Sequence, residues 1–222
     1  MDMRTFIAAF LHQAARRGGL HVFRVYWRRL GAGAALASAP ELACRRLGDD
    51  ELLARCADPR LGLGEAMVRD ALLRGDACVG AFCGGELAGY AWFSYDDAPH
   101  VGGVRVSVPA PAIYRYKAFV LPAHRGRRIA PFLYGAADDL VAKPGRRYVV
   151  NCIALQNRSS VAASLRSGAA PLGHLGYWQA GTRFLALHSR SVELFGLRFY
   201  LGKSQPPVAF KPRVPPAGSV PR

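Results

Sequence analysis

The sequence predicts an α+β fold with one central mixed, mostly antiparallel sheet flanked by helices. Three observations support this prediction. Short apolar segments typical of strands follow one another in the middle of the chain instead of alternating regularly with helices. A strand, a basic turn and an amphipathic helix succeed each other over residues 113–140. Apolar residues make up 51% of the 222 residues, which suits a packed domain and excludes a globally disordered chain.

The formal net charge of +15 favours an anionic partner. A nucleotide-like cofactor, an acidic carrier protein, an anionic membrane surface and nucleic acid all meet that description. The chain has no recognisable nucleic-acid-binding motif, so nucleic acid is the least favoured of these partners.

The five cysteines are scattered without the spacing of zinc ligands, so we expect no metal site. Reduced thiols of this kind are typical of a cytoplasmic protein. No apolar run approaches the roughly 18 residues of a membrane-spanning helix. We therefore expect a cytoplasmic protein whose basic segments allow contact with a membrane surface.

Residues 1–40 are predicted to be a basic N-terminal extension and linker. Residues 3–17 place apolar side chains on one face of a helix. Residues 20–30 mix aromatic side chains with arginines and fit either a helix or a strand. They either cover part of the core or dock on a membrane surface or a partner. Residues 31–40 have the composition of a linker.

The main domain is predicted to span residues 41–200. In its first half, apolar periodicity and acidic residues at helix starts predict a strand, two helices, a hairpin turning at Gly84-Gly85, and a Gly/Pro-rich loop or inserted ribbon. These segments are residues 41–47, 49–56, 64–74, 76–83, 86–95 and 96–111.

The second half of this domain is predicted to contain two buried neighbouring strands, two helices and a further strand pair. The segments are the strand 113–121, a helix starting at 127 or 128, the strand 148–155, the helix 157–167, the strands 175–179 and 183–189, and a last ordered segment 192–200. Residues 201–222 are predicted to be a Pro-rich tail.

The turn between the strand 113–121 and the following helix has the chemistry of an anion site. It contains three arginines, Arg125, Arg127 and Arg128, together with Gly126. A helix N-terminus offers free backbone N–H groups and a positive dipole end, which suit a phosphate or pyrophosphate. Pro131 fits the first turn of this helix, where its missing N–H has no partner to lose. The alternative is an ordinary strand–turn–helix unit that happens to contain arginines.

Over residues 41–189 the order of elements resembles the GNAT acetyltransferase superfamily. Its acyl-CoA motif, Gln/Arg-x-x-Gly-x-Gly/Ala, aligns with Arg125 at the first position and Ala130 at the last, whereas Arg128 stands where glycine is usual. A second motif of the family pairs an asparagine with a small residue three positions later and a glycine eleven positions later. Asn157, Ser160 and Gly168 have that spacing.

The resemblance implies where acetyl-CoA or another acyl-CoA would bind. Backbone amides of Arg127, Arg128, Ile129 and Ala130 would hold the pyrophosphate, with Arg125 and Gly126 completing the turn. The strands 113–121 and 148–155 would part, so that main-chain groups near Phe119 and Val120 pair with the pantetheine arm. Asn157 and Ser160 would contact the arm from the other side. Arg128 would point outwards, contact a phosphate directly, or mark a weakened site.

The resemblance also implies the chemistry, which is acyl transfer from a thioester to an amine. The amine must be deprotonated and the leaving thiolate protonated. The family's usual acid is a tyrosine seven residues after the motif asparagine, a position occupied here by Ser164, whose hydroxyl could hold a water. Tyr116, on the central strand, is a candidate base, and so are Asp96, Asp97 and His100 in the loop after the hairpin.

Three functions are therefore considered. The first is an N-acyltransferase that moves an acyl group from acyl-CoA to an amine of a small molecule or other acceptor by direct attack in a ternary complex. The second uses an acyl carrier protein as donor, docked on the basic surface. The third is a non-catalytic scaffold that binds an anionic membrane or nucleic acid.

Overall fold

A computed structural model describes residues 18–32 and 41–202, which form an eight-stranded sheet, a three-stranded sheet and five α-helices. The predicted helix at residues 3–17 lies outside the described residues, as do residues 33–40 of the predicted linker 31–40 and residues 203–222 of the predicted tail 201–222.

The described strands are β1 (Leu20–Arg29), β2 (Leu42–Arg46), β3 (Ala77–Cys83), β4 (Glu86–Ser94), β5 (Asp97–Pro99), β6 (Val104–Ser107), β7 (Ala112–Val120), β8 (Tyr148–Ala154), β9 (Ala170–Ala180), β10 (Arg183–His188) and β11 (Arg198–Leu201). The described α-helices are α1 (Asp49–Arg55), α2 (Glu65–Leu73), α3 (Ile129–Val141), α4 (Arg158–Arg166) and α5 (Arg190–Phe195).

The large sheet has the strand order β10-β9-β1-β8-β7-β4-β3-β2. All of its neighbouring pairs are antiparallel except β7 and β8, which are parallel. Helix α3 connects these two strands and returns the chain to the same end of the sheet, as a parallel connection requires. The predicted α+β class with a mixed, mostly antiparallel sheet is confirmed.

The start of the domain predicted near residue 41 is wrong, because β1 lies in the middle of the sheet between β8 and β9. Two features conceal this strand in the sequence. Val25 and Tyr26 point to opposite faces of the sheet and are both buried, because both faces are covered here, so the strand lacks the apolar–polar alternation of a half-exposed strand. Arg28 is also buried, although arginine is normally exposed.

The sheet is covered on both faces. The side chains of β4 alternate between the two layers, with Trp92 packing towards α1 and α2 and Phe93 packing towards α3. At the other end of the sheet, β1, β8 and β9 pack against the small sheet, whose strand order is β11-β6-β5. The central strands β7 and β8 are therefore held rigidly from several sides.

The structure shows the conformation of two segments for which the sequence predicted no single type of element. Residues 96–111 form an inserted ribbon, since β5 and β6 pair with each other and β6 pairs with β11. Residues 192–200 include the end of α5 and most of β11. Strand β9 begins at Ala170, five residues earlier than predicted, and pairs there with Trp27 of β1.

Candidate functional site

The two central strands part in the middle of the sheet. The parallel ladder between β7 and β8 contains three residue pairs, the last of which joins Tyr114 to Val150. Strand β7 stays paired with β4 as far as Val120, while β8 stays paired with β1 as far as Ala154. The edge of β7 from residue 115 onwards therefore faces a cleft instead of a strand.

The outer part of this cleft, here called the outer cavity, has a volume of about 520 Å³. It lies between the end of β7, the turn before α3 and the side of α4. Most of the residues predicted to bind the cofactor line it: Phe119, Val120, Arg125, Gly126, Arg128, Ile129, Ala130 and Ser160. The sequence motif and the cleft therefore coincide.

The turn before α3 has two residues with positive φ, a backbone conformation that favours glycine. Gly126 has a φ of 80° and Arg128 a φ of 59°, and Arg128 is the one residue other than glycine with a positive φ in the described part of the chain. Helix α3 begins at Ile129 with no side chain capping its N-terminus. Pro131 lies in its first turn. The uncapped N–H groups and the positive helix end thus face the outer cavity.

The three arginines of the turn point in different directions. Arg127 forms an exposed ion pair with Glu41 at 3.3 Å and does not line the outer cavity. The Nε atom of Arg125 donates to the carbonyl oxygen of Val120 at 3.3 Å. Arg128 is exposed and forms part of the cavity wall. Arg125 and Arg128 are therefore the members of this turn whose charges are available to an anion.

The inner part of the cleft, here called the inner cavity, has a volume of about 250 Å³. It lies where β7 and β8 diverge, and it shares Ala118, Tyr134 and Ser160 with the outer cavity. Asn157, Tyr116 and Ser164 also belong to its lining. The two cavities are therefore adjoining parts of one cleft.

Arg115, Asn151 and Ser164 form a polar cluster beside the inner cavity. The Nη2 atom of Arg115 donates to Ser164 Oγ at 2.9 Å, and Asn151 Nδ2 donates to the same oxygen at 3.4 Å. The guanidinium carbon of Arg115 lies 3.3 Å from the centre of the Tyr134 ring, a cation–π geometry. Burial lowers the pKa of Arg115 to about 10, so the guanidinium remains charged at neutral pH.

The structure argues against the catalytic roles predicted for Ser164 and Tyr116. The Ser164 hydroxyl was predicted to hold a water for the leaving thiolate. Ser164 has no exposed surface and its hydroxyl accepts from Arg115 and Asn151, so it positions Arg115 instead. The hydroxyl of Tyr116 is buried, and burial followed by the charge of Asp76 raises the pKa of this phenol. A phenol in that environment stays protonated and cannot serve as a base.

Asn157 caps helix α4. Its Oδ1 atom accepts from the backbone N–H of Ser160 at 3.1 Å and from the hydroxyl of Ser159 at 3.0 Å. This contact stabilises the helix start and fixes the orientation of the amide. Because Oδ1 is occupied, Nδ2 is the group that Asn157 can offer to a ligand in the inner cavity.

Cys152 also lines the inner cavity. Burial raises the pKa of its thiol to about 12, so the thiol is neutral at physiological pH and is not a nucleophile. Among the described residues, no group of three or more His, Cys, Asp or Glu side chains is placed to hold a metal ion. No α-helix within residues 18–32 and 41–202 is both long and apolar enough to cross a membrane.

Sequence reasoning assigned no role to Arg115, Asn151 or Tyr134. A charged residue between two aromatic residues in an otherwise buried strand is the signal that points to Arg115. Asn151 interrupts the apolar run of β8 in the same way. Tyr134 carries no such signal, because an aromatic residue on the inner face of a helix is ordinary core.

No protein-family model and no curated protein sequence matches the chain. Among solved structures, a tandem GNAT protein from the clavulanic acid biosynthesis pathway is 20% identical, with a TM-score of 0.48 over 82% of this chain and 58% of its own. The aminoglycoside N-acetyltransferase AAC(6')-Iy in complex with CoA is 19% identical, with a TM-score of 0.44 over 70% of this chain and 99% of its own. A functionally unknown conserved protein from Staphylococcus epidermidis is 11% identical, with a TM-score of 0.51 over 78% and 65%.

Similarities at this level of identity concern the fold alone, and the chain spans less than two thirds of the tandem protein. The chain's own features agree with them. A mixed sheet whose two central strands part, with an uncapped basic turn at the mouth of the cleft, is the arrangement that the two sequence motifs imply. The fold therefore agrees with the one that the resemblance to the GNAT acetyltransferases implies.

Proposed function

We propose that the protein is an acyltransferase that moves an acetyl or other acyl group from acyl-CoA to an amine of a small molecule or other acceptor. Transfer occurs by direct attack in a ternary complex. The observation that carries this proposal is the coincidence of the parted strands, the cleft between them and the basic turn at the cleft mouth. An extended thioester with a phosphorylated end fits a cleft of that kind.

The outer cavity provides what the phosphates of CoA require. Arg125 and Arg128 supply positive charge, and the first N–H groups of α3 supply donors at the positive end of the helix dipole. The edge of β7 beyond Tyr114 offers main-chain groups to the amides of the pantetheine arm, as a neighbouring strand would. The thioester then lies towards the inner cavity.

The reaction requires that the amine nitrogen attack the thioester carbon, so that a C–N bond forms and the C–S bond breaks. Among the residues that the structure describes, no carboxylate or imidazole lines the inner cavity. We therefore infer that the amine binds in its neutral form, that its proton leaves to solvent and that the thiolate is protonated by solvent. The transfer rate should consequently rise with pH according to the pKa of the acceptor amine.

An acyl carrier protein would present the same pantetheine arm, and the exposed arginines of the turn would suit its acidic surface. The preformed cleft favours either donor over a non-catalytic scaffold, because a surface that binds only membrane or nucleic acid needs no opening between strands. A comparison of acyl-CoA with acyl carrier protein as donor separates the two enzyme functions.

Ligand-induced stabilisation tests the proposal. We expect acetyl-CoA, longer acyl-CoAs and free CoA to raise the melting temperature of the full chain, because a ligand that binds only the folded state stabilises it. Arg125→Glu should abolish the shift by reversing charge in the outer cavity. Gly126→Pro should also abolish it, since proline cannot adopt a φ of 80°.

Arg183→Glu is the matched control, because Arg183 is exposed on β10 and does not line the cleft. Its shift should equal that of the wild type. Absence of any shift with all the CoA ligands would refute the proposed function. A shift that Arg125→Glu and Arg183→Glu diminish equally would indicate attraction by net charge and not binding in the outer cavity.

A further inference from the structure

A positive charge without a compensating acid is buried at the centre of the molecule. Two guanidinium groups, Arg28 and Arg115, and one carboxylate, Asp138, lie close enough to influence one another and are all at least 94% buried. Arg28 and Asp138 neutralise each other in a buried ion pair. Arg115 is left with one positive charge that nothing in this group balances.

The other contacts of Arg115 do not supply a negative charge. Its Nη2 atom donates to the neutral hydroxyl of Ser164, and its guanidinium lies over the ring of Tyr134. Within the described part of the chain, no ion pair joins Arg115 to an acid. An isolated buried charge is costly, so its retention suggests a partner that binds from outside the chain.

The inner cavity is the place where such a partner can reach Arg115. Lys117 also belongs to its lining, but the ammonium group lies on the opposite face of the sheet, where it donates to the carbonyl oxygen of Gly62 at 2.8 Å. Arg115 is therefore the cation that faces the inner cavity. Within residues 18–32 and 41–202, no aspartate or glutamate belongs to the lining, while Asn151 and Asn157 provide amide groups. A site with this lining repels a polycationic amine and attracts an anion that accepts hydrogen bonds.

We infer that the inner cavity binds a carboxylate group of a substrate, held by Arg115. This inference rests on the proposed function and narrows its substrate class. The carboxylate comes from one of two sources. It is either the far end of a dicarboxylic acyl group on CoA or the carboxylate of an acceptor such as an amino acid. In either case Arg115 is a specificity-determining residue, and a polyamine is a poor acceptor.

Calorimetric titration of the full chain tests both sources with charged and neutral ligand pairs. The donor pair is succinyl-CoA against butyryl-CoA. The acceptor pair is glutamate or glycine against the corresponding amide, titrated both with CoA present and without it. A charge-assisted hydrogen bond in a desolvated site predicts that one pair shows a preference of about 10- to 100-fold for the carboxylate. The pair that shows the preference identifies the source.

Arg115→Met should abolish the preference while leaving the affinity for free CoA, which is held in the outer cavity, largely unchanged. The matched control Arg183→Met should retain the preference, because Arg183 is exposed and distant from the cleft lining. Arg115→Lys keeps the positive charge and should retain part of the preference for the carboxylate ligand.

Equal affinities for the charged and neutral members of both pairs in the wild-type chain would overturn the inference. That comparison needs no variant and therefore stands even if Arg115→Met does not fold. If free CoA binds but no pair shows a preference, this inference alone fails. If free CoA does not bind, the proposed function fails, and the titration of amino acids without CoA still decides whether Arg115 holds a carboxylate.

Discussion

Tyr114 and Val150 are the last residues to pair across the two central strands, and the cleft opens directly beyond them. The opening is maintained from outside, because β4 holds β7 as far as Val120 and β1 holds β8 as far as Ala154. A ligand that enters the cleft therefore finds the strand edge already exposed. This preorganisation lowers the conformational cost of binding.

Gly89 tests whether β4 fixes the cleft wall. It pairs with Val120, and a Cβ atom at this position would lie 2.7 Å from the carbonyl oxygen of Phe119 and 3.2 Å from Val120 Cα. Both neighbours are backbone atoms, so Gly89→Ala must displace the end of β7. We expect a loss of about 1–3 kcal/mol in the free energy of unfolding, measured in urea, together with weaker binding of CoA.

Gly64→Ala is the control for Gly89→Ala, since a Cβ atom at Gly64 meets no atom within 4 Å and the backbone there is extended. It should leave CoA binding unchanged and lower the free energy of unfolding by at most about 1 kcal/mol, because Gly64 is the N-cap of α2, where alanine is less favourable than glycine. If Gly89→Ala bound CoA as the wild type does, the pairing of β4 with β7 would not determine the shape of the cleft.

Arg128 carries a conformational cost that glycine would avoid. Its φ of 59° and ψ of 21° lie in the left-handed region, which costs residues with a Cβ atom about 1–2 kcal/mol. We expect Arg128→Gly to stabilise the fold and to raise the melting temperature by about 2–4 °C for each kcal/mol gained. Differential scanning calorimetry measures this change.

Arg128→Ala separates strain from charge, because it removes the guanidinium but keeps the Cβ atom. Both variants should weaken CoA binding by removing a positive charge from the wall of the outer cavity. Only Arg128→Gly should gain stability. Equal stability of the two variants would show that the left-handed conformation carries no cost here.

The sequence predicted the elements that depend on local pattern and left undecided, between helix and strand, the segment 20–30 whose pairing depends on distant partners. Strands β3, β4, β7 and β8 have apolar runs bounded by turns, and all four were predicted within a few residues of their observed ends. Strand β1 pairs with residues more than a hundred positions away. Both of its faces are partly buried and it contains the buried Arg28, so its local pattern does not show that it lies in the sheet.

The site was predicted unevenly for a similar reason. The turn of Arg125 and Gly126 is contiguous in the sequence, and its motif could be recognised there. The cluster of Arg115, Asn151 and Ser164 comes from two strands and a helix, and only the fold brings these residues together. Contacts between residues that are far apart in the sequence produce no fixed motif spacing by which they could be recognised.

The buried side chain of Asp138, on helix α3, binds residues at the end of β1 and just after it. Its carboxylate forms a buried ion pair with Arg28 and accepts from the backbone N–H of Gly31 at 2.8 Å. Asp138→Asn leaves Arg28 charged and buried without an acid, for which we expect a loss of about 3–5 kcal/mol in the free energy of unfolding. Chemical denaturation in urea measures this loss.

Asp139→Asn is a closely matched control, because Asp139 is the next residue on the same helix and is exposed. Its effect should stay within about 0.5 kcal/mol. If the two variants had similar stability, the buried ion pair would not be needed to hold β1 in the sheet.

His100 should make the fold sensitive to acid. It packs against Phe23 and Phe199, with ring centroids 4.6 and 4.7 Å away, and burial, followed by the nearby His21, lowers its pKa to about 4. The unfolded chain takes up a proton near pH 6.5, whereas the folded chain does not do so until about pH 4. Protonation therefore favours the unfolded state, and stability is lost as the pH falls between these two values.

Protonation of His100 should lower the free energy of unfolding by at most about 3 kcal/mol between pH 7 and pH 4. About two thirds of this decrease should be present by about pH 5. Urea denaturation at pH 7.0 and pH 5.0 measures it. His100→Phe keeps a ring in the aromatic cluster and removes the titrating group, so its stability should depend less steeply on pH. His174→Gln alters an exposed histidine and should retain the wild-type dependence. If the free energy of unfolding of His100→Phe depended on pH as steeply as that of the wild type, His100 would be protonated in the folded protein at no cost in stability. That result would contradict the burial of its ring among aromatic side chains.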